Sequence, residues 1–154
     1  MSFLEEEREA WRPYERLLDL TDEQLSEPLA AAHGWSARDL MGHLLAWLSI
    51  QLEVARELAV SETSRRSAEV EADWEARGGE VVNAELLETW GRKPMSEIRA
   101  LFVSVPGELR GTLTVVPETR WLKNPTAMDG FMESTLDHYE EHAADLDAVL
   151  ASAT

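Results

Sequence analysis

The chain contains no cysteine among its 154 residues. Disulfides, thiolate nucleophiles and zinc sites built on cysteine are therefore excluded. Any metal ion would have to be held by histidine, aspartate or glutamate side chains. The sequence also lacks a glycine-rich phosphate loop and any apolar run approaching the roughly 18 residues of a membrane span.

Basic residues are scarce, since 14 Lys and Arg stand against 30 Asp and Glu, for a formal net charge of -16. DNA-binding surfaces neutralise phosphates with clustered Lys and Arg, and no such cluster is present. Anionic membranes would be repelled for the same reason. We therefore expect no nucleic-acid and no membrane partner. The first residues are acidic where a secretory signal would be basic, which predicts a cytoplasmic protein.

Apolar residues make up 44% of the chain and recur at helical spacing along most of it. The length suits one domain spanning residues 1–154. The clearest helix begins after Ser36, where Asp39 completes a capping box, and runs to about residue 60. The pattern predicts an all-α protein, an up-and-down four-helix bundle with a long crossover connection and short extra helices. The long helices are expected from Ser2, from Ser36, from Met95 and over residues 126–150.

The segments between these helices carry weaker signals. Residues 21–35 and 117–125 are predicted to be loops, and the charged stretch 61–77 is predicted to be partly mobile. A short helix is expected over residues 81–90. Pro106 should kink or split the helix that begins at Met95.

Three of the four histidines fall on apolar helix faces. His138 and His142 are one helical turn apart, so both can reach a single ion. His43 lies on the most apolar stripe of its own helix. One such histidine is usually a hydrogen-bonded core residue, but three would each need a buried partner. We therefore predict that the three ligate one divalent metal ion and leave positions open for water or substrate, as in catalytic zinc sites.

Positions in the sequence suggest roles for two further residues, His33 and Trp47. His33 lies in a predicted loop, and we take it to be incidental. Trp47 lies one turn beyond His43 and is predicted to line a pocket beside the metal. Each ligating imidazole is expected to use its other ring nitrogen to contact a carboxylate, carbonyl or water. No second catalytic group can be identified.

The motif His-x-x-Glu-His at residues 138–142 also fits the inverzincin proteases, in which the glutamate is the catalytic base. Those proteases take a third ligand, a glutamate, well downstream, whereas only 12 residues follow His142 here. Glu141 also falls on the predicted outward side of its helix, so protease chemistry is disfavoured. The acidic residues assigned to that outward side are Glu133, Asp137, Glu140, Glu141 and Asp145.

Two segments resemble one family. Residues 34–47, GWSARDLMGHLLAW, resemble the second-helix segment of the DinB/YfiT-like superfamily, in which a Trp-Ser pair leads into a helix bearing His-Leu and an aromatic residue. Residues 135–142, TLDHYEEH, resemble that superfamily's closing His-x-x-x-His helix. The helix order between them is compatible across nearly the whole chain.

This resemblance implies a four-helix bundle, often dimeric, with nickel or zinc on a triad that maps onto His43, His138 and His142. It further implies a metal-dependent transferase or isomerase that uses a low-molecular-weight thiol to act on a small electrophile. The alternative is a non-enzymatic protein, metal-dependent or metal-free, that binds small molecules or acts in stress. Turnover with a thiol and an electrophile would separate the two hypotheses.

Overall fold

The computed structural model describes residues 2–154, and helices account for nearly all regular structure in that part of the chain. Met1, the first residue of the predicted domain, lies outside the described residues. The all-α prediction is confirmed. Within residues 2–154 no helix combines the length and apolar character needed to cross a membrane. In chain order the helices are α1 (Phe3–Trp11), α2 (Asp22–Ser26), α3 (Ala37–Val60), α4 (Arg65–Arg77), α5 (Gly79–Gly91), α6 (Met95–Leu113), α7 (Glu118–Leu122), α8 (Pro125–Ser134), α9 (Leu136–Glu141) and α10 (Ala143–Ser152), with 3₁₀ segments at Arg12–Asp19 and Ala30–Ala32.

The 24-residue helix α3 forms the centre of the core. Its start is fixed by the predicted capping box, in which the Ser36 hydroxyl accepts from the Asp39 backbone N–H at 3.1 Å. The Asp39 carboxylate in turn accepts from the Ser36 N–H at 2.9 Å. Most of α3 is buried, and it packs against α4, α5, α6, α8 and α10. Burial on nearly all sides explains why its apolar face is broader than a single stripe.

The N-terminal helix is anchored to the C-terminal half by aromatic and charged contacts. Trp11 packs against Phe102 and Tyr139, with ring centroids 4.8 and 5.2 Å apart. The Tyr139 hydroxyl donates to the buried Glu7 carboxylate at 2.9 Å, and Arg110 donates to the same carboxylate at 2.5 Å. Because Tyr139 directly follows His138, this cluster fixes the backbone that carries the candidate ligand.

The charged stretch 61–77, for which no helix was predicted, contains α4 over Arg65–Arg77, and its partial mobility stays a prediction. Ser64 caps the helix by accepting from the Ser67 N–H at 3.0 Å. Exposed i,i+4 ion pairs support it, such as Arg65 with Glu69 at 2.8 Å. No residue of α4 is buried, so the broad apolar stripe that usually reveals a helix in sequence is absent.

The two predicted loops also contain helix. In the stretch 21–35, Thr21 and Gln24 form a capping box that starts α2, and a 3₁₀ turn follows at Ala30–Ala32. In the stretch 117–125, the short helix α7 follows Pro117. Both α2 and α7 are only five residues long, too short to show helical periodicity.

Pro106 does not interrupt its helix, whereas Thr135 lies at an interruption of the helix predicted over residues 126–150. The helix α6 continues through Pro106 from Met95 to Leu113, so the predicted split did not occur. The single helix predicted over residues 126–150 is instead divided into α8, α9 and α10. One interruption lies at Thr135, whose backbone is non-helical (φ -115°, ψ -103°) and whose hydroxyl donates to the Phe131 carbonyl at 2.8 Å.

Candidate metal centre

Three imidazoles from separate parts of the chain meet beside α3. His43 comes from α3, His138 from α9, and His142 from the junction of α9 and α10. The Nε2 atoms of His43 and His138 are 2.8 Å apart. The three ring centroids form a nearly equilateral triangle with sides of 4.7, 4.7 and 4.8 Å. The predicted residues therefore form one cluster.

The geometry of this cluster fits a single ion. Candidate ligand atoms of the three histidines all lie within 4.8 Å of one another. Two nitrogens bound to one ion at about 2.1 Å each can be at most about 4.2 Å apart. The His43–His138 distance already meets this limit, and any other pair needs to close by no more than about 0.6 Å. The cluster could therefore hold a metal ion.

The helix junction keeps His138 and His142 on one side of the chain. His142 has a distorted backbone (φ -95°, ψ 5°), which ends α9. Even so, its N–H donates to the His138 carbonyl at 3.1 Å, and its own carbonyl accepts from the Leu146 N–H at 3.0 Å. These i,i+4 bonds preserve the one-turn spacing on which chelation by both histidines depends.

Burial keeps two of the imidazoles neutral. The pKa of His43 is lowered from 6.5 to about 4, first by burial and then by His142, while Asp145 acts in the opposite direction. The pKa of His138 is lowered to about 3 by burial, then by His43 and His142. Neutral imidazole is the form that binds a metal ion, so both side chains are ready to ligate at neutral pH.

Asp145 supports the third imidazole, a role that the sequence analysis missed by placing this residue on the outward side. Its side chain is buried, and its carboxylate lies 2.9 Å from Nδ1 of His142. That contact leaves Nε2 of His142 available to bind an ion. The expected second contact is thus present for His142, whereas Nδ1 of His43 has no hydrogen-bond partner within residues 2–154. The spacing i,i+3 from His142 was the available signal for Asp145.

Residues of the loop before α3 also lie against the cluster. Trp35 stacks on His142, with centroids 5.7 Å apart and planes at 22°, and contacts His43 with centroids at 4.9 Å. His33, predicted to be incidental, has a largely exposed side chain whose Nε2 lies 3.4 Å from the Asp145 carboxylate. His33 has a left-handed backbone (φ 59°), followed by Gly34 with φ 82°, and this turn leads the chain into Trp35.

A cavity of about 620 Å³ opens onto His43 and His138. Trp47 lines it, and the Trp47 indole N–H donates to the Asn83 side-chain carbonyl at 2.8 Å. Gln51, one turn further along α3, lines the cavity as well. Trp47 thus lies where its predicted role requires, and binding of a cofactor or substrate there stays a prediction. The full lining set is His43, Trp47, Ile50, Gln51, Val54, Ser67, Val70, Glu71, Trp74, Glu75, Asn83, Thr126, Ala127, Asp129, Gly130, Glu133, Ser134, Asp137, His138 and Glu141.

Glu141, the glutamate of the alternative protease motif, is exposed as expected and also lines this cavity.

Comparisons of the chain with protein-family models, with curated proteins and with solved structures found no match. The site combines two neutral imidazoles with a cavity that aromatic and acidic side chains also line.

Proposed function

We propose that the protein is a metal-dependent enzyme in which His43, His138 and His142 hold one divalent ion, zinc or nickel. The convergence of three imidazoles, two of them buried, from two separate stretches of chain carries this proposal. Three nitrogen ligands without cysteine suit both metals. The unpartnered Nδ1 of His43 and the carboxylate on His142 show that the cluster is not a saturated hydrogen-bond network.

We further propose that the reaction is a thiol-dependent transfer or isomerisation of a small electrophile. A divalent ion bound by three imidazoles would lower the pKa of a thiol or water and so supply a nucleophile near neutral pH. The cavity beside His43 and His138 has a volume typical of small-molecule sites. Within it, Trp47 offers an aromatic surface and Gln51 a polar group for orienting a substrate.

The resemblance to the DinB/YfiT-like superfamily supports a finer description of the fold. We propose that α1, α3, α6 and the interrupted α8–α10 unit are the four members of the bundle. Residues 61–94 would then form the long connection between α3 and α6. Packing of α3 against α6, of α3 against α8 and of α1 against α9 supports this assignment.

A non-enzymatic, metal-free binding protein is the second candidate, and one distance favours it. The separation of 2.8 Å between Nε2 of His43 and Nε2 of His138 is also normal for an N–H···N hydrogen bond between neutral imidazoles. In that case the histidines would be structural, and the cavity would bind its ligand without a metal ion.

Elemental analysis of the purified protein tests the metal site. The wild type and His33→Ala should carry close to one zinc or nickel ion per chain. His43→Ala and His142→Ala should each lose about tenfold or more of that occupancy while remaining helical by circular dichroism. Full occupancy in the His43→Ala and His142→Ala variants would refute the site. With the metal established, turnover of a thiol and an electrophile, abolished in His43→Ala, separates an enzyme from a binding protein.

A further inference from the structure

The cavity beside the histidines is lined by an unusual excess of negative charge. Within residues 2–154, six carboxylates line it, and no lysine or arginine does so. Their positions come from two parts of the chain, α4 on one side and the α8–α9 region on the other. The six are Glu71, Glu75, Asp129, Glu133, Asp137 and Glu141.

These carboxylates are not neutralised by neighbouring cations. Across residues 2–154 the ion pairs of the protein involve other acidic residues, and none includes any of the six. Even a divalent ion on the histidines would leave the cavity negative. A concave site lined by one sign of charge concentrates ions of the opposite sign.

Two tryptophans give the cavity a surface suited to a cation. Trp47 and Trp74 both line it, with ring centroids 5.7 Å apart and planes at 71°. Two indoles at this angle form a corner. The face of an indole ring attracts a positively charged nitrogen more strongly than any other aromatic side chain does.

A buried amide supplies an independent sign of a missing ligand. Gln51 is only 4% exposed and lines the cavity. Its Nε2 donates to the Ser134 hydroxyl at 3.2 Å, but its Oε1 is buried without a hydrogen-bond partner in the described chain. A buried acceptor without a partner destabilises the protein by about 1–3 kcal/mol unless something donates to it. An N–H group bound in the cavity would satisfy Oε1.

We propose that this cavity binds an organic amine in its protonated form, with the ammonium group among the carboxylates and tryptophans and an N–H donated to Gln51 Oε1. The carboxylates attract the charge, the indole faces stabilise it, and the amide carbonyl orients it. The inference names the substrate class and rests on the proposed function only in taking this cavity as the substrate site. The same field disfavours thiols rich in carboxylates, which narrows the cosubstrate to a thiol with little negative charge.

Three probes of similar shape and different charge test the inference. They are 2-phenylethylamine, which is cationic at neutral pH, 2-phenylethanol, which is neutral, and 3-phenylpropanoate, which is anionic. We expect calorimetry on the metal-free protein to show the amine binding about tenfold or more tighter than the alcohol. The anion should not bind measurably, and added salt should weaken binding of the amine. Equal affinities for amine and alcohol, or preference for the anion, would overturn the inference.

Variants then locate the binding site. The double variant Glu133→Gln/Asp137→Asn should weaken binding of the amine several-fold. The control Glu15→Gln/Glu23→Gln removes the same charge from exposed residues outside the cavity and should change affinity little. Equal effects of the two double variants would mean that only the net charge of the protein matters. Since the altered side chains are all exposed, folding should not limit the comparison.

The contributions of the amide and the metal are tested separately. Gln51→Leu should weaken binding of 2-phenylethylamine several-fold, because the ammonium N–H loses its acceptor. Unchanged amine affinity in Gln51→Leu would remove Oε1 from the site. Amine selectivity in a protein that never binds zinc or nickel would leave this inference standing and refute the proposed function. A bound metal without amine selectivity would refute this inference and leave the proposed function standing.

Discussion

Acid should destabilise the metal-free protein through its two most deeply buried histidines. His43 and His138 have pKa values lowered from 6.5 to about 4 and about 3, chiefly by burial. The unfolded chain therefore binds more protons than the folded chain at pH values below 6.5. The stability that depends on these two neutral histidines is fully present above pH 6.5 and is lost as the pH falls toward their pKa values in the folded protein.

The size of the effect follows from linkage. At about pH 5 an unfolded histidine is almost fully protonated, whereas His43 and His138 in the folded protein remain neutral. Each should lower the free energy of unfolding by about 2 kcal/mol between about pH 8 and about pH 5, or about 4 kcal/mol together. That loss is a large part of the stability of an ordinary domain.

Urea denaturation in the presence of a chelator measures this prediction. The wild type contains many carboxylates that also titrate, so the informative quantity is the difference from His43→Leu. Between about pH 8 and about pH 5, the free energy of unfolding of this variant should fall by about 2 kcal/mol less than that of the wild type. Gln51→Leu, an equally buried polar-to-apolar change on the same helix, should keep the wild-type pH dependence because glutamine does not titrate. Identical pH dependence in the wild type and His43→Leu would refute the reasoning.

Three further predictions concern other contacts. Asp145→Asn should weaken zinc or nickel binding about 10- to 100-fold in a competition titration, whereas Asp147→Asn, the same charge change at an exposed position of α10, should not. Glu7→Gln should lower the free energy of unfolding by about 3 kcal/mol in urea denaturation, because it leaves Arg110 without its buried partner; Glu6→Gln is the exposed control. The protein should be a homodimer by light scattering, and a monomer mass at micromolar concentration would contradict this.

Features set by local sequence were predicted well. The start of α3 depends on Ser36 and Asp39, three residues apart, and its end and burial follow from an apolar pattern contained within one helix. The grouping of His43 with His138 and His142 was also accessible, because all three lie on apolar helix faces, although only His43 and His138 are buried.

Features that depend on tertiary packing were not predictable. Asp145 was assigned to the acidic outer face, because its spacing from His142 shows that the two can touch but not that the fold buries its carboxylate. The acidic cavity needs α4 to lie against α8, and residues 61–77 were not even predicted to be a helix. Only the packed structure brings Glu71 to the same cavity as Glu133.

The histidine cluster should destabilise the metal-free protein in ways that apolar side chains at the same positions would not. Burying His43 with Nδ1 unpartnered destabilises the folded protein by about 1–3 kcal/mol, and a leucine of similar size would avoid that loss. His43 and His138 should also make the metal-free protein sensitive to acid. Leu44, Leu45 and Leu48 fill adjacent positions on α3, so the core itself places no demand for a polar side chain there. An ion bound to all three imidazoles would offset these losses, because binding to the folded state alone stabilises it.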